Sequence, residues 1–135
     1  FIWKGTGMNS TQVAALYVGL NLALLVLLAV RVVGRRRSAQ VSLGDGGDDD
    51  LSRRIRTHGN ASEYVPAFMV GLFMTAAMGT SAILVHALGA SFTLGRLLHA
   101  FGLSASKMAP RALGMLLTWV PMLVIAGLLV WQGSF

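Results

Sequence analysis

Long apolar blocks separated by short polar interruptions make up this chain, and the lengths of the blocks predict its elements. Thr11 to Val30 carries no charge. After Tyr64 no Asp, Glu, Lys or Arg occurs until Arg96, a block longer than the about 20 residues one helix needs to cross a hydrocarbon core about 30 Å thick. Met78-Gly79-Thr80-Ser81 interrupts that block, which therefore reads as two helices joined by a tight turn. A last uncharged block runs from Ala112 to Phe135. Pro121 within it is a tolerated kink, because neighbouring helices in a membrane protein re-satisfy the backbone groups it frees. The pattern predicts four helices, over about 11–37, 50–78, 82–103 and 110–133. The expected fold is all-α, an integral membrane four-helix bundle forming a single domain over residues 8–135.

Composition agrees with lipid as the solvent. At 135 residues, 55% hydrophobic and 12% charged, the chain lacks the polar surface a soluble globule of this size requires. Thr11 to Val30 is also longer than the apolar core of a cleavable signal peptide, and no small-residue cleavage site follows it. Met8-Asn9-Ser10-Thr11 looks like a natural start, and residues 1–7 are left out of the expected domain. Cysteine is absent, which removes disulfides, thiolate metal sites and a cysteine nucleophile. Any thiol chemistry must use another molecule's sulfur.

Charge adds an orientation. Arg31, Arg35, Arg36, Arg37, Arg53, Arg54 and Arg56 flank the first loop, Lys107 and Arg111 flank the third, and the second loop and C-terminus carry no charge. Positive charge in short loops stays on the cytoplasmic side, so the first and third loops are expected there and both termini on the opposite side. The net charge of +6 is thereby topological, and nucleic-acid binding is not expected of a chain with no soluble domain to carry a basic footprint. Gly44-Asp45-Gly46-Gly47-Asp48-Asp49-Asp50 is turn-prone and acidic. It lacks the glutamate and spacing of a calcium loop, and Asp48 to Asp50 instead fit the start of the second helix, where carboxylates complement the helix dipole.

Candidate chemistry concentrates in Arg53-Arg54-Ile55-Arg56-Thr57-His58-Gly59-Asn60-Ala61-Ser62-Glu63-Tyr64-Val65-Pro66. Spacings of three and four place Arg53, Arg56, Asn60 and Glu63 on one stripe of the second helix, with Tyr64 beside Asn60. A carboxylate and an amide inside a membrane helix are expensive unless they face a partner or an aqueous cavity. An Arg–Glu pair plus an Asn that joins helices would be a purely structural account, but it needs fewer polar groups than the stripe holds. Arg96 and His99 lie one turn apart near the end of the third helix, and Arg111 opens the fourth on the same side. His86, towards the opposite end of the third helix, reads as an interfacial or packing residue. No two histidines have metal-ligand spacing, and no metal is expected.

From about Thr11 to the end these residues resemble the MAPEG proteins, membrane-associated proteins in eicosanoid and glutathione metabolism, and particularly their small bacterial members. The string RTHGNASEYVP from Arg56 to Pro66 matches the family's second-helix pattern of Arg, Asn, Glu-Tyr and Pro at the same offsets. Leu43-Gly44-Asp45-Gly46-Gly47, Gly95-Arg96-Leu97-Leu98-His99-Ala100 and Arg111-Ala112-Leu113-Gly114 are similar to bacterial members as well. The resemblance, which extends to microsomal glutathione transferase and cysteinyl-leukotriene synthase, implies a homotrimer in a bacterial inner membrane. It also implies glutathione bound between protomers near the cytoplasmic side, with its thiolate attacking a lipophilic electrophile or reducing a lipid hydroperoxide.

The residue types suit that ligand. Arg53, Arg56 and Arg96 can each take a carboxylate in bidentate fashion, Glu63 suits the ammonium of the γ-glutamyl end, and Asn60 and Tyr64 can hydrogen-bond without adding charge. A thiol with a pKa of about 8.5 is only a few per cent ionised at neutral pH, and a nearby guanidinium lowers that pKa. Arg111 is the expected thiol-activating group, although ungapped comparison with the leukotriene-forming type puts that arginine one residue earlier, at Pro110. Arg36 is the second candidate, and His99 stands where that type carries a glutathione-contacting tyrosine. Two other readings stay open, a non-catalytic lipid- or glutathione-binding scaffold of the same family and a small multidrug transporter. Such transporters carry their membrane glutamate in the first helix, whereas Glu63 is in the second.

Overall fold

The structure, a computed structural model, describes residues 7–135. The expectation about residues 1–7 falls, Gly7 apart, outside them. The described residues form four helices, α1 (Ser10–Ala39), α2 (Asp49–Ala77), α3 (Ala82–Ser104) and α4 (Met108–Ser134). Local chemistry sets the ends. Asn9 caps α1 by accepting from the Gln12 backbone N–H at 2.9 Å, while the Gln12 side chain accepts from Asn9 N–H at 2.9 Å, a reciprocal cap that starts the helix at Ser10. Gln40, left-handed at φ 54°, ends α1 beyond Arg36 and Arg37, cations that suit the negative end of the helix dipole. Asp48 caps α2 through Leu51 N–H at 2.7 Å. The same carboxylate grips Arg35 at 2.6 and 3.1 Å, and this bidentate guanidinium, helped by the Leu51 N–H, holds Asp48 down at a pKa of about 2.

α1, α3 and α4 are each long and apolar enough to cross a membrane, and the chain is an integral membrane protein. α2, with 29 residues, is about 43 Å long at about 1.5 Å per residue, but the charges of its first half keep it below the same apolarity. The four helices run up and down. At one end Ser10 Oγ donates to Thr80 O and Gln132 Nε2 to Thr80 Oγ1 at 3.1 Å, joining the start of α1, the α2–α3 turn and the end of α4. At the other, Arg35 meets Asp48, Arg54 Nη1 donates to Arg31 O at 3.0 Å, and Arg31 donates to Ser104 Oγ at 3.3 Å.

Between these ends Phe68 stacks on Phe92 with ring centroids 3.6 Å apart, among buried Val65, Leu72 and Leu88. α3 and α4 approach most closely, because Gly95, Gly102 and Gly114 stand at their crossing. A Cβ on Gly95 would come to 2.8 Å from Gly114 O, and one on Gly114 to 2.6 Å from Gly95 O. Small residues at a membrane helix crossing let backbones meet in this way. α1 joins α3 through a polar seam that its uncharged block from Thr11 to Val30 does not advertise. Asn21, wholly buried, donates to Thr93 Oγ1 at 2.9 Å, and the Tyr17 hydroxyl lies 3.1 Å from His86 Nδ1 with the two rings edge to face.

Candidate functional site

The largest fully buried side chain is a cation. Arg96, 1% exposed, lies at the junction of α2, α3 and α4. Its Nη2 donates to Asn60 Oδ1 on α2 at 2.6 Å and lies 3.0 Å from Nδ1 of His99, one turn along α3. Its Nη1 donates to Thr118 Oγ1 on α4 at 3.4 Å and points at Met115 Sδ at 3.8 Å. The Tyr64 ring of α2 covers the guanidinium with its centroid 5.5 Å away, a cation–π arrangement. Among the described residues the ion pairs are those of Arg35 with Asp48 and Asp50 and of Arg54 with Asp50, so Arg96 has no carboxylate, and its Nε is buried without a partner. A buried cation without a counter-ion is costly.

Towards the loops the same seam opens. Arg53, Lys107 and Arg111 line a cavity of about 370 Å³ together with Gly102, Leu103, Ser106 and Met108. Arg111, Met115 and Thr118 share one face of α4 at spacings of four and three, and Arg53 lies seven residues before Asn60 on α2, so the cavity sits one to two turns nearer the loops than Arg96. Its wall is basic and contains no carboxylate. On the outer face of α2 and α4, an apolar cavity of about 460 Å³ is lined by Tyr64, Trp119, Met122, Leu123 and Ala126. Tyr64 is thus the partition between the polar cluster and the apolar space.

The MAPEG family model matches residues 14–131, through all four helices. The chain belongs to the MAPEG family. It is also 35% identical over 120 residues to inner membrane protein YecN of Escherichia coli strain K12, covering 89% of this chain and 92% of that protein. The same figures hold for YecN of Escherichia coli O6:H1 strain CFT073. The chain is therefore a membrane protein of the glutathione and eicosanoid family, and the name of these relatives gives a location without a reaction.

In this MAPEG chain the sequence-predicted residues fall into three groups. Asn60, Tyr64, Arg96 and His99 meet in the buried cluster. Arg53 and Arg111 meet on the basic cavity. Arg56 and Glu63 stay exposed on the outer face of α2. Arg36 joins none of these within the protomer, because it donates to the carbonyls of Gly44 at 2.7 Å and Val41 at 3.5 Å and so shapes the first loop. Thr118, Met115 and Lys107 belong to the site without having been predicted. Lys107 and Thr118 had a signal available, since Lys107 flanks the same loop as Arg111 and Thr118 lies seven residues beyond Arg111 in an otherwise apolar helix.

Proposed function

We propose that this protein is a membrane glutathione transferase, with glutathione-dependent reduction of lipid hydroperoxides as a related activity. The observation that carries the reading is the buried Arg96, which has polar neighbours on three helices, no carboxylate partner among the described residues, and an apolar cavity one side chain away. Glutathione carries two carboxylates and a sulfur that must become anionic, and it reacts with greasy electrophiles. Arg96, Asn60 and His99 supply a positive, hydrogen-bonding wall, Arg53 and Lys107 bind carboxylate, and Arg111 lies where it can hold the thiolate. Glu63 and Arg56, facing outward on α2, complete the site from the surface that a neighbouring copy covers in a homotrimer. Arg36 then acts from the loop end of an adjoining copy. The thiol gives its proton to solvent water beside the guanidinium, and sulfur attacks an electrophile held against Tyr64 and Trp119, from which a leaving group such as chloride departs with its bonding electrons. The basic end faces the cytoplasm, in a bacterial inner membrane, with both termini on the other side.

Titration calorimetry of glutathione into the detergent-purified protein tests this reading. Saturable binding is expected, weakened at least about tenfold by Glu63→Gln, the scale of losing one charge-assisted hydrogen bond. Conjugation of a chlorinated nitroaromatic, in which sulfur displaces chloride, is expected alongside. No binding by the native protein overturns the proposal, and binding without conjugation or peroxide reduction leaves the scaffold reading in its place.

A further inference from the structure

Arg96 directs four of its five N–H groups at the protein, and this fixes the polarity of its neighbours. A guanidinium only donates. The atom 2.6 Å from Nη2 is therefore the acceptor end of Asn60, its Oδ1, and the Asn60 Nδ2 group is turned away with both hydrogens free. His99 Nδ1, 3.0 Å from the same Nη2, must also accept. That puts the imidazole proton on Nε2. Nη2 has two hydrogens, one for each acceptor. Nη1 is occupied too, since Thr118 gives its own proton to Gly114 O at 2.8 Å and offers Arg96 a lone pair, with Met115 sulfur taking the other hydrogen. Asn60 Nδ2 and His99 Nε2 have no hydrogen-bond partner among the described residues, and neither is one of the sealed, unpaired polar atoms.

We infer that Arg96 is a positioning residue, whose Nη2 group sets the Asn60 amide and the His99 ring so that both present N–H donors to anionic groups of the ligand. The inference deepens the glutathione reading and rests on it for the ligand's identity. Arg96 itself does not meet the ligand, because both Nη groups are committed to protein acceptors and Nε is sealed, and it acts by making donors of two side chains that could otherwise offer either polarity. A wall of donors backed by a buried cation accepts carboxylate or thiolate and turns away ammonium, which leaves the γ-glutamyl amine to Glu63. His99 thus supplies an N–H without serving as a base through Nδ1, because that nitrogen's lone pair is taken by Arg96.

Nitrogen NMR of protein labelled with ¹⁵N-histidine in detergent reads the tautomer directly, with the His99 signals assigned by their loss in His99→Gln. A pyridine-type Nδ1 and a pyrrole-type Nε2 are expected for His99 without any ligand. A proton on Nδ1, or an even mixture of tautomers, overturns the inference whether or not glutathione binds. The second arm is Asn60→Asp, which keeps an oxygen towards Nη2 and adds an ion pair, so the bundle is retained, but removes the outward N–H donors. Glutathione affinity should fall at least about tenfold. Undiminished affinity in Asn60→Asp overturns the donor role, because an Asn that merely joined helices would lose nothing by this change. Failure of the native protein to bind glutathione overturns the functional reading instead, and the tautomer still decides the role of Arg96.

Discussion

Arg111 and Arg96 are both guanidiniums on the same seam, yet their surroundings assign them different work. Arg96 is sealed and committed to protein acceptors, whereas Arg111 is exposed on the wall of the basic cavity. Replacing Arg111 by Ala should therefore leave glutathione binding within about threefold while lowering kcat about tenfold near neutral pH, the consequence of a bound thiol whose pKa rises by about one unit. Ultraviolet absorbance of the bound thiolate, titrated with pH, checks this, and the rate of the variant should recover at higher pH as the thiol ionises without help. A variant with full thiolate absorbance at neutral pH would remove Arg111 from that role. The cluster around Arg96 was legible only in part, because helical spacing put Asn60 and Tyr64 with Arg53, Arg56 and Glu63 on α2 and, separately, Arg96 with His99 on α3, but could not tell that Asn60 turns to Arg96 while Arg56 and Glu63 stay exposed. Thr118 and Met115 were not legible, since a hydroxyl or a thioether is tolerated on any face of a membrane helix.

Pairing of the helices depends on residues that periodicity passes over. The caps at Asn9, Asp48 and Ser81 are local and legible, and so helix ends could be expected from sequence. Which helix lies closest to which could not, because glycines carry no polarity to read. Gly114 is the sharpest case, since any Cβ there would strike the His99 backbone N and Gly95 O. Backbone cannot give way as a side-chain tip can, so Gly114→Ala must push α4 from α3 and lengthen the Thr118 contact to Arg96. A loss of about 1–3 kcal/mol is expected, the range for overpacking a tight site. Unfolding by denaturing detergent measures it. Gly127→Ala is the matched control, because nothing lies within 4 Å of a Cβ there, and alanine's better helix propensity of up to about 1 kcal/mol should make it neutral or stabilising. Equal effects at the two glycines would mean that the α3–α4 crossing is looser than these contacts imply.

The up-and-down bundle was legible at the scale of the molecule from the arginine clusters, whereas the number of copies is not written in the fold of one protomer. What one protomer does carry is an unfinished surface. Arg56 and Glu63 are exposed on α2, seven and fourteen residues beyond Asp49, about 10 and 20 Å along the helix at about 1.5 Å per residue. A charged side chain facing lipid at membrane depth costs about 2.5–3.5 kcal/mol, which favours covering the stripe with a second copy and placing the ligand between the two. Ligand and assembly are then linked, because a molecule bound only by the assembled state stabilises it. At about a hundredfold over its Kd, glutathione should stabilise the oligomer by about 2.7 kcal/mol per site. Native mass spectrometry during detergent dilution is expected to show a three-copy species that persists to higher detergent when glutathione is present. At the same glutathione concentration Glu63→Gln, with affinity at least about tenfold weaker, should cut that protection to at most about 1.4 kcal/mol per site. Dissociation at the same detergent concentration with and without bound glutathione would place the ligand within one protomer, and the outward face of α2 would then need a different cover.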